Sequence, residues 1–236
     1  GDLAVTVEEN LSYPDASVHT GRAAEMAKQD FGPLCVLLTE AVQQPPRRSP
    51  GWPDTWFERG KVPMTKRFVR AAAIAALGIQ PEDVLWDVGA GTGSVSVELA
   101  AAAQKGSVYA VECELSALEL IRNNRQKFHT WNLHTVEGYA PQVLENLPAP
   151  DAIFVGGSKG EMSSILSAAL AKNPQVRICV SCIALETLEA VLAFCREHNL
   201  EPQVMQLAAS QAKSMGRLHL MMAQNPVFLV TVRCDD

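Results

Sequence analysis

Beyond about residue 80 the chain alternates short apolar runs with longer stretches in which apolar residues return at helical spacing. Residues 84–87, 108–112, 133–136, 152–155, 177–181, 203–208 and 227–232 read as seven strands. Residues 94–103, 116–127 and 184–198 read as helices, and an earlier helix over 66–77 is expected to be capped by Thr65 and stopped by Gly78. This alternation predicts a doubly wound α/β domain around a seven-stranded, Rossmann-like sheet. Residues 210–226 join the last two strands and secure no helix. Those strands are therefore expected to close the domain as a C-terminal antiparallel hairpin, the seventh inserted beside the fifth.

The N-terminal stretch breaks this pattern. Asn10-Leu11-Ser12-Tyr13-Pro14-Asp15 is rich in turn formers, residues 22–28 look helical and residues 34–39 look like a strand. So small a fragment has little core of its own. Closely spaced prolines at 45, 46 and 50 then oppose both helix and central strand. The expected organisation is a small unit over 1–42, a linker over 43–53 and the main domain over 54–236.

An apolar fraction of 47% argues against disorder, and 20 Lys and Arg against 26 Asp and Glu argue against nonspecific nucleic-acid binding. No apolar stretch is long enough to cross a bilayer and no basic, then apolar leader opens the chain, so a cytoplasmic protein is expected. Cys179 and Cys182 have C-x-x-C spacing but lack a second pair or a nearby histidine, and on a strand they would face opposite sides. His19, His129, His134 and His198 are scattered. No metal site is expected.

The candidate chemistry centres on Trp86-Asp87-Val88-Gly89-Ala90-Gly91-Thr92-Gly93, between the first strand and a helix. Glycines there let the backbone turn tightly and approach a ligand, because no Cβ obstructs it. The spacing is G-x-G-x-G, not the dinucleotide G-x-G-x-x-G, with an acid two residues before the first glycine. A carboxylate at Asp87 would repel a pyrophosphate yet accept a hydrogen bond from a cationic amino-acid group. Glu112 ends the next apolar run, where a carboxylate can accept both hydroxyls of an adenosine ribose. Together these residues favour S-adenosyl-L-methionine over NAD.

The loop and Glu112 resemble the class I S-adenosylmethionine-dependent methyltransferases. Four segments narrow the resemblance: Gly60-Lys61-Val62-Pro63-Met64-Thr65-Lys66, the glycine loop with its strand, Val155-Gly156-Gly157-Ser158-Lys159-Gly160, and Asn225-Pro226-Val227-Phe228. In order and spacing they resemble the decarboxylating C15-methyltransferases of cobalamin (vitamin B12) biosynthesis, over Pro50 to the C-terminus. Glu9-Asn10-Leu11-Ser12-Tyr13-Pro14-Asp15 and Leu34-Cys35-Val36-Leu37-Leu38 look like the end of the C5-methylating partner, a tetrapyrrole methyltransferase of different fold. In some organisms the two are fused as precorrin-6Y C5,15-methyltransferase, so residues 1–42 would be a remnant of the first half. The resemblance implies a precorrin substrate of the aerobic pathway, methylation at C15 coupled to decarboxylation of the ring C (C12) acetate, and a homotetramer.

It also implies roles for individual residues. Gly89, Gly91, Thr92 and Gly93 would pass beneath the cofactor, with Asp87 near its amino-acid end and Glu112 on the ribose. Gly138-Tyr139-Ala140 would hold the adenine; Tyr139 stands where many relatives carry an acid, for which Glu137 could substitute. Thr65 would border the cofactor, Gly156 the methyl. An acceptor bearing acetates and propionates calls for cations, and three groups offer them: Lys61, Lys66, Arg67 and Arg70; Lys159 with Gly157 and Ser158; and Lys213 with Arg217. Met64 would add an apolar wall. Lys159 and His219 are the candidates for catalytic roles. The alternatives are another small-molecule methyltransferase, an RNA methyltransferase with an extended basic face, or a noncatalytic S-adenosylmethionine-binding module.

Overall fold

A computed structural model describes residues 3–39 and 49–233. Most of the expected proline-rich linker, residues 43–48, lies outside the described residues, as does Cys234. The chain divides into two compact units between residues 44 and 45.

In the first unit, β1 (Ala4–Glu9) is the centre of a three-stranded antiparallel sheet, flanked by β2 (Ser17–Arg22) and β3 (Cys35–Thr39). The helix expected over 22–28 is the single turn α1 (Ala23–Met26), and two strands, β1 and β2, precede it where a strand-helix-strand fragment provides for one. Asn10 and Ser12, at φ 50° and 72°, turn the chain between them. The buried core comprises Val5, Val7 and Met26, while every residue of β3 is exposed.

The second unit begins with α2 (Arg67–Leu77), then alternates β4 (Val84–Val88), α3 (Ser94–Ala102), β5 (Ser107–Glu112), α4 (Leu115–Lys127), β6 (Leu133–Glu137), β7 (Ala152–Val155), α5 (Met162–Lys172), β8 (Arg177–Cys182), α6 (Leu185–Glu197) and β9 (Gln203–Leu207). The hairpin β10 (Ser210–Met215) and β11 (Leu218–Ala223) intervenes before the last strand, β12 (Val227–Val232). Strand order in the seven-stranded sheet is β6-β5-β4-β7-β8-β12-β9. The first five are parallel, and β12 enters antiparallel to both β8 and β9, as the inserted seventh strand should.

Both sheet faces are covered, which is why β4 beyond Val84 and all of β7 are buried without alternation, Asp87 of β4 included. Val69, Ile74, Val95, Leu99, Leu118 and Ile121 of α2, α3 and α4 pack one face with Leu85 and Cys179. Ile165, Leu166, Val191 and Phe194 of α5 and α6 pack the other with Trp86 and Cys182. The two cysteines thus face opposite layers, and burial lifts the Cys182 thiol to about 11. Gly78 ends α2 at φ 56°, where Arg177 of β8 donates to the Leu77 and Gly78 carbonyls at 2.7 and 2.6 Å. Thr65 does not cap this helix. Lys66 holds the cap position, with no side-chain cap bond.

Within the connection over 210–226, residues 210–223 form a separate two-stranded ribbon, every residue of which is exposed. No described helix is long and apolar enough to cross a membrane.

Candidate active site

The tips of β4, β5 and β7 end level with one another: Val88 pairs with Val111 on one side and Val155 on the other. One step further, Glu112 of β5 pairs with Glu137 of β6. Strand order reverses at β4, so the chain leaves β4 and β7 on opposite sides and opens a crevice where parallel sheets hold their ligands. A cleft of about 640 Å³ occupies it.

The glycine loop is fixed to β5 before any ligand arrives. Gly89 and Ala90 donate to the Val111 carbonyl at 3.0 and 3.1 Å, and Gly91 donates to Glu112 Oε2 at 2.9 Å. Gly89 has φ 71°, and a Cβ there would lie 2.5 Å from the Gly157 oxygen. Its missing side chain lets the β4 and β7 loops meet. Gly91, at φ 56°, serves another approach, since its Cβ would sit 3.0 Å from the Pro63 oxygen. Gly93 and Thr92 are not on the cleft wall. A Cβ at Gly93 would press on Ile121 of α4 at 3.0 Å, and the Thr92 carbonyl accepts from Asn124 at 2.9 Å. These two residues of the motif seat α4 behind the loop.

Glu112 is 8% exposed and lies on the cleft. Its Oε1 accepts the Cys113 and Glu114 amides at 2.8 and 3.0 Å, and Oε2 takes that of Gly91. Two carboxylate oxygens carry about four acceptor positions, so after these three amides about one remains, on Oε2, for a ribose hydroxyl. Gly138, Tyr139 and Ala140 border the next stretch of the cleft, whereas Glu137 is not on its wall.

Asp87 lies behind the wall, fully buried. The Ser96 hydroxyl donates to its Oδ2, while Oδ1 has no partner among the described residues. Burial drives its carboxyl up to about 7; Ser96 opposes the rise and the Glu112 charge adds to it. The folded protein therefore holds a proton here that the unfolded chain releases near pH 4. The associated stability is present below that value and lost as pH rises through about 7. An Asp87→Asn variant should flatten the fall in thermal midpoint between pH 5 and 8, as scanning calorimetry would measure. An unchanged slope would remove Asp87 as its source.

These features fit S-adenosylmethionine: a carboxylate at the β5 tip with an acceptor position left for a ribose hydroxyl, beside a loop packed closely enough only because Gly89 and Gly91 lack Cβ atoms; Asp87, expected near the amino-acid end, lies behind the wall and does not reach the cleft.

The candidate acceptor cations divide sharply. Lys66 and Lys159 are on the cleft, with Met64, Thr65, Gly156, Gly157 and Ser158. Lys159 adopts φ 49° and places Nζ 2.8 Å from Glu114 Oε1 and 5.4 Å from the centre of the Tyr139 ring. The hydrogen bond with Glu114 raises the Lys159 pKa and lowers that of Glu114. Lys61 and Arg67 are off the wall, Arg67 donating to the Gly51 carbonyl at 2.6 Å.

Arg70 is misplaced by the helical-face argument. It is completely buried, paired with Glu98 and Asp54, and donates to the Thr65 and Trp52 carbonyls at 2.6 Å each. It fastens the segment before α2 to α3 and is not available to a substrate. Lys213, Arg217 and His219 are on the exposed β10–β11 ribbon, outside the cleft lining. Conversely, Glu114, Ser181, Ile183 and Gln224 line the cleft without having been singled out. Asn225, already noted in the Asn-Pro-Val-Phe segment, joins them.

Residues 55–233 match the family described as the precorrin methyltransferase domain. A protein of Pyrobaculum calidifontis described as a probable cobalt-precorrin-6B C(15)-methyltransferase (decarboxylating) is 41% identical over 189 residues, 79% of this chain and 97% of that protein. A crystal structure of precorrin-6y C5,15-methyltransferase from Geobacter metallireducens superposes with TM-score 0.75 at 32% identity, covering 78% of this chain and 98% of that one. The C-terminal domain of precorrin-6Y C5,15-methyltransferase from Rhodobacter capsulatus gives TM-score 0.67 at 28% identity, over 78% and 97% of the two chains.

Proposed function

The chain belongs to the precorrin methyltransferase family, and from that premise we propose that it methylates C15 of a precorrin with S-adenosylmethionine and removes the ring C acetate carboxyl as carbon dioxide, in cobalamin biosynthesis. The observation that carries the reading is one cleft that joins the Gly89–Gly91 loop and Glu112 at one end to Lys66, Lys159 and the β7 loop at the other. Both the RNA and the noncatalytic readings fit less well, because the same cleft that holds the glycine loop also takes in Lys66, Lys159 and the β7 loop, and the chain carries net charge −6.

S-adenosylmethionine supplies an electrophilic sulfonium methyl. When it is bound, Glu112 would hold the ribose, with the Gly138–Ala140 stretch lining the part of the cleft that would take the adenine. Gly156 and Gly157 border the place where methyl and acceptor carbon meet; a Cβ at Gly157 would meet nothing within 4 Å, so the backbone leaves this space open. Lys66 and Lys159 bind peripheral carboxylates, Lys159 exchanging Glu114 for the substrate. No protein nucleophile is needed, because a macrocycle nitrogen can push electrons onto C15. Holding the two carbons in line can then supply roughly 7–11 kcal/mol of the barrier reduction in favourable cases. Lys159 acts here as a positioning charge. His219 has no assigned step in this scheme.

Incubation with a C5-methylated precorrin and S-adenosylmethionine, followed by mass analysis, tests the proposal. One methyl gained and one carbon dioxide lost is the expected product, and an unaltered macrocycle would overturn it. Running the metal-free and cobalt-bound acceptors side by side distinguishes the aerobic substrate, which this reading favours, from its cobalt counterpart.

Two further assignments belong to this reading. Residues 1–42 are the end of a C5-methylating domain, supported by their separate core and by the wholly exposed β3. The chain assembles as a homotetramer, supported by Met215, Leu218, Met221 and Met222 standing exposed on the ribbon. A monomeric mass by light scattering would refute the tetramer.

A further inference from the structure

Three loops meet across the cleft, and one side chain joins them. Strand β4 lies between β5 and β7 in the sheet, with β6 outside β5. Glu114 follows β5, Tyr139 follows β6 and Lys159 follows β7. Lys159 Nζ nevertheless sits 2.8 Å from Glu114 Oε1 and 5.4 Å from the centre of the Tyr139 ring. Neighbouring strands run about 5 Å apart, so the ion pair ties together loops that start about 10 Å from each other. The Gly89–Gly91 loop of β4 lies between them, and all of these residues line the cleft. Tyr139, Ala140 and Lys159 also border a hollow of about 470 Å³ whose other walls are Gln142 and Glu161. The pair and the ring therefore stand between this hollow and the cleft.

The backbone favours the same placement. The Glu161 amide donates to the Ser158 carbonyl at 2.9 Å, closing a turn whose central residues, Lys159 and Gly160, have φ 49° and 92°. Turns with two positive φ values ordinarily carry Gly, Asn or Asp at those positions. Here a lysine stands where the backbone disfavours it, and its side chain reaches back across β4.

We propose that Glu114 positions Lys159 as a latch across the cofactor cleft, and that S-adenosylmethionine passes in and out when this pair opens. The inference rests on the function proposed above only in placing the cofactor in the cleft. It gives Lys159 a duty additional to the acceptor carboxylate. The two side chains are 55% and 62% exposed, so water and salt weaken their attraction and the latch opens often. A weak latch delays admission and release alike, because the same opening serves both. It therefore slows both rates and leaves the equilibrium affinity nearly unchanged. A direct contact to the cofactor acts differently, slowing release alone.

Surface plasmon resonance on the immobilised chain reads both rates for S-adenosylmethionine. Glu114→Gln should raise association and dissociation together by about two- to fivefold, the range an exposed ion pair supports, with the dissociation constant kept within about twofold. Lys159→Met should do the same. The double variant should be no faster than either single one, since the two residues form one latch. High salt should speed both rates in the parent and have less effect on Glu114→Gln, where no ion pair remains to be screened. Both residues are exposed, so neither change disturbs a packed core. Slower release from Glu114→Gln would mean that the freed Lys159 holds the cofactor itself. Unchanged rates would mean that the pair obstructs nothing. Either result overturns the latch, as does a dissociation constant that rises in step with the dissociation rate. All of these measurements are made without an acceptor. A parent chain that binds the cofactor but leaves the precorrin unaltered would lose the proposed reaction and keep the latch, whereas one that binds no cofactor would remove both.

Discussion

Replacing Gly89 by alanine is expected to abolish S-adenosylmethionine binding and to lower stability by about 2–5 kcal/mol. Two effects add. The residue holds φ 71°, a conformation that a side chain disfavours by roughly 1–2 kcal/mol. The new Cβ would also lie 2.5 Å from the Gly157 oxygen and 2.7 Å from its nitrogen. Both are backbone atoms, so no rotamer change relieves the contact, and overpacking of this kind typically adds about 1–3 kcal/mol. Relief requires the tips of β4 and β7 to separate, at the place where the proposed function would bring methyl and acceptor together. Calorimetric titration on the folded fraction would measure the affinity, and denaturant unfolding the stability. Gly157→Ala is the control, because its Cβ meets nothing and its stability should stay within about 0.5 kcal/mol of the parent. A Gly89→Ala protein with parental affinity would disprove the placement of the cofactor.

Arg70→Met should destabilise the second unit by about 3–5 kcal/mol, the usual result of removing one member of a buried ion pair. Glu98, 3% exposed, would keep the Gly51 and Trp52 amides at 2.6 and 3.0 Å but lose its cation. Asp54 and the Trp52 and Thr65 carbonyls would lose a donor at the same time. Because Pro63 lies against Gly91, loosening this segment should also weaken cofactor binding in the protein that remains folded. The double variant Arg70→Met, Glu98→Gln should recover part of the loss, since no unpaired charge is then left buried. A urea midpoint for Arg70→Met equal to that of the parent would show that the pair is structurally idle.

Arg70 also shows where one-dimensional reading fails. At helical spacing from Lys66 it looks like a neighbour in a basic patch. Whether such a residue meets solvent depends on what packs over it, and here Trp52, Asp54 and Glu98 close around the guanidinium. Lys213, Arg217 and His219 fail for a related reason. The sequence places them near the end of the sheet, but the β10–β11 ribbon carries them outside the cleft lining. That ribbon escaped notice because a strand with both faces in water has no buried face and so leaves no alternating pattern. Helix α2 was legible apart from its cap, since hydrophobic spacing survives in one dimension whereas the hydroxyl's position does not.

By itself the sequence determined the alternating architecture, the inserted seventh strand, the glycine loop and the Glu112 tip. Each is encoded by local spacing of apolar residues, glycines and acids, and backbone sterics translate that spacing directly into strands, turns and helices. Tertiary structure alone decided which glycine faces which neighbour, which cations reach the cleft, and that Ser181, Gln224 and Asn225 line it with them. Those outcomes depend on residues far apart in the chain meeting at adjacent strand ends, and on burial, which is a property of what covers a side chain and not of the side chain itself.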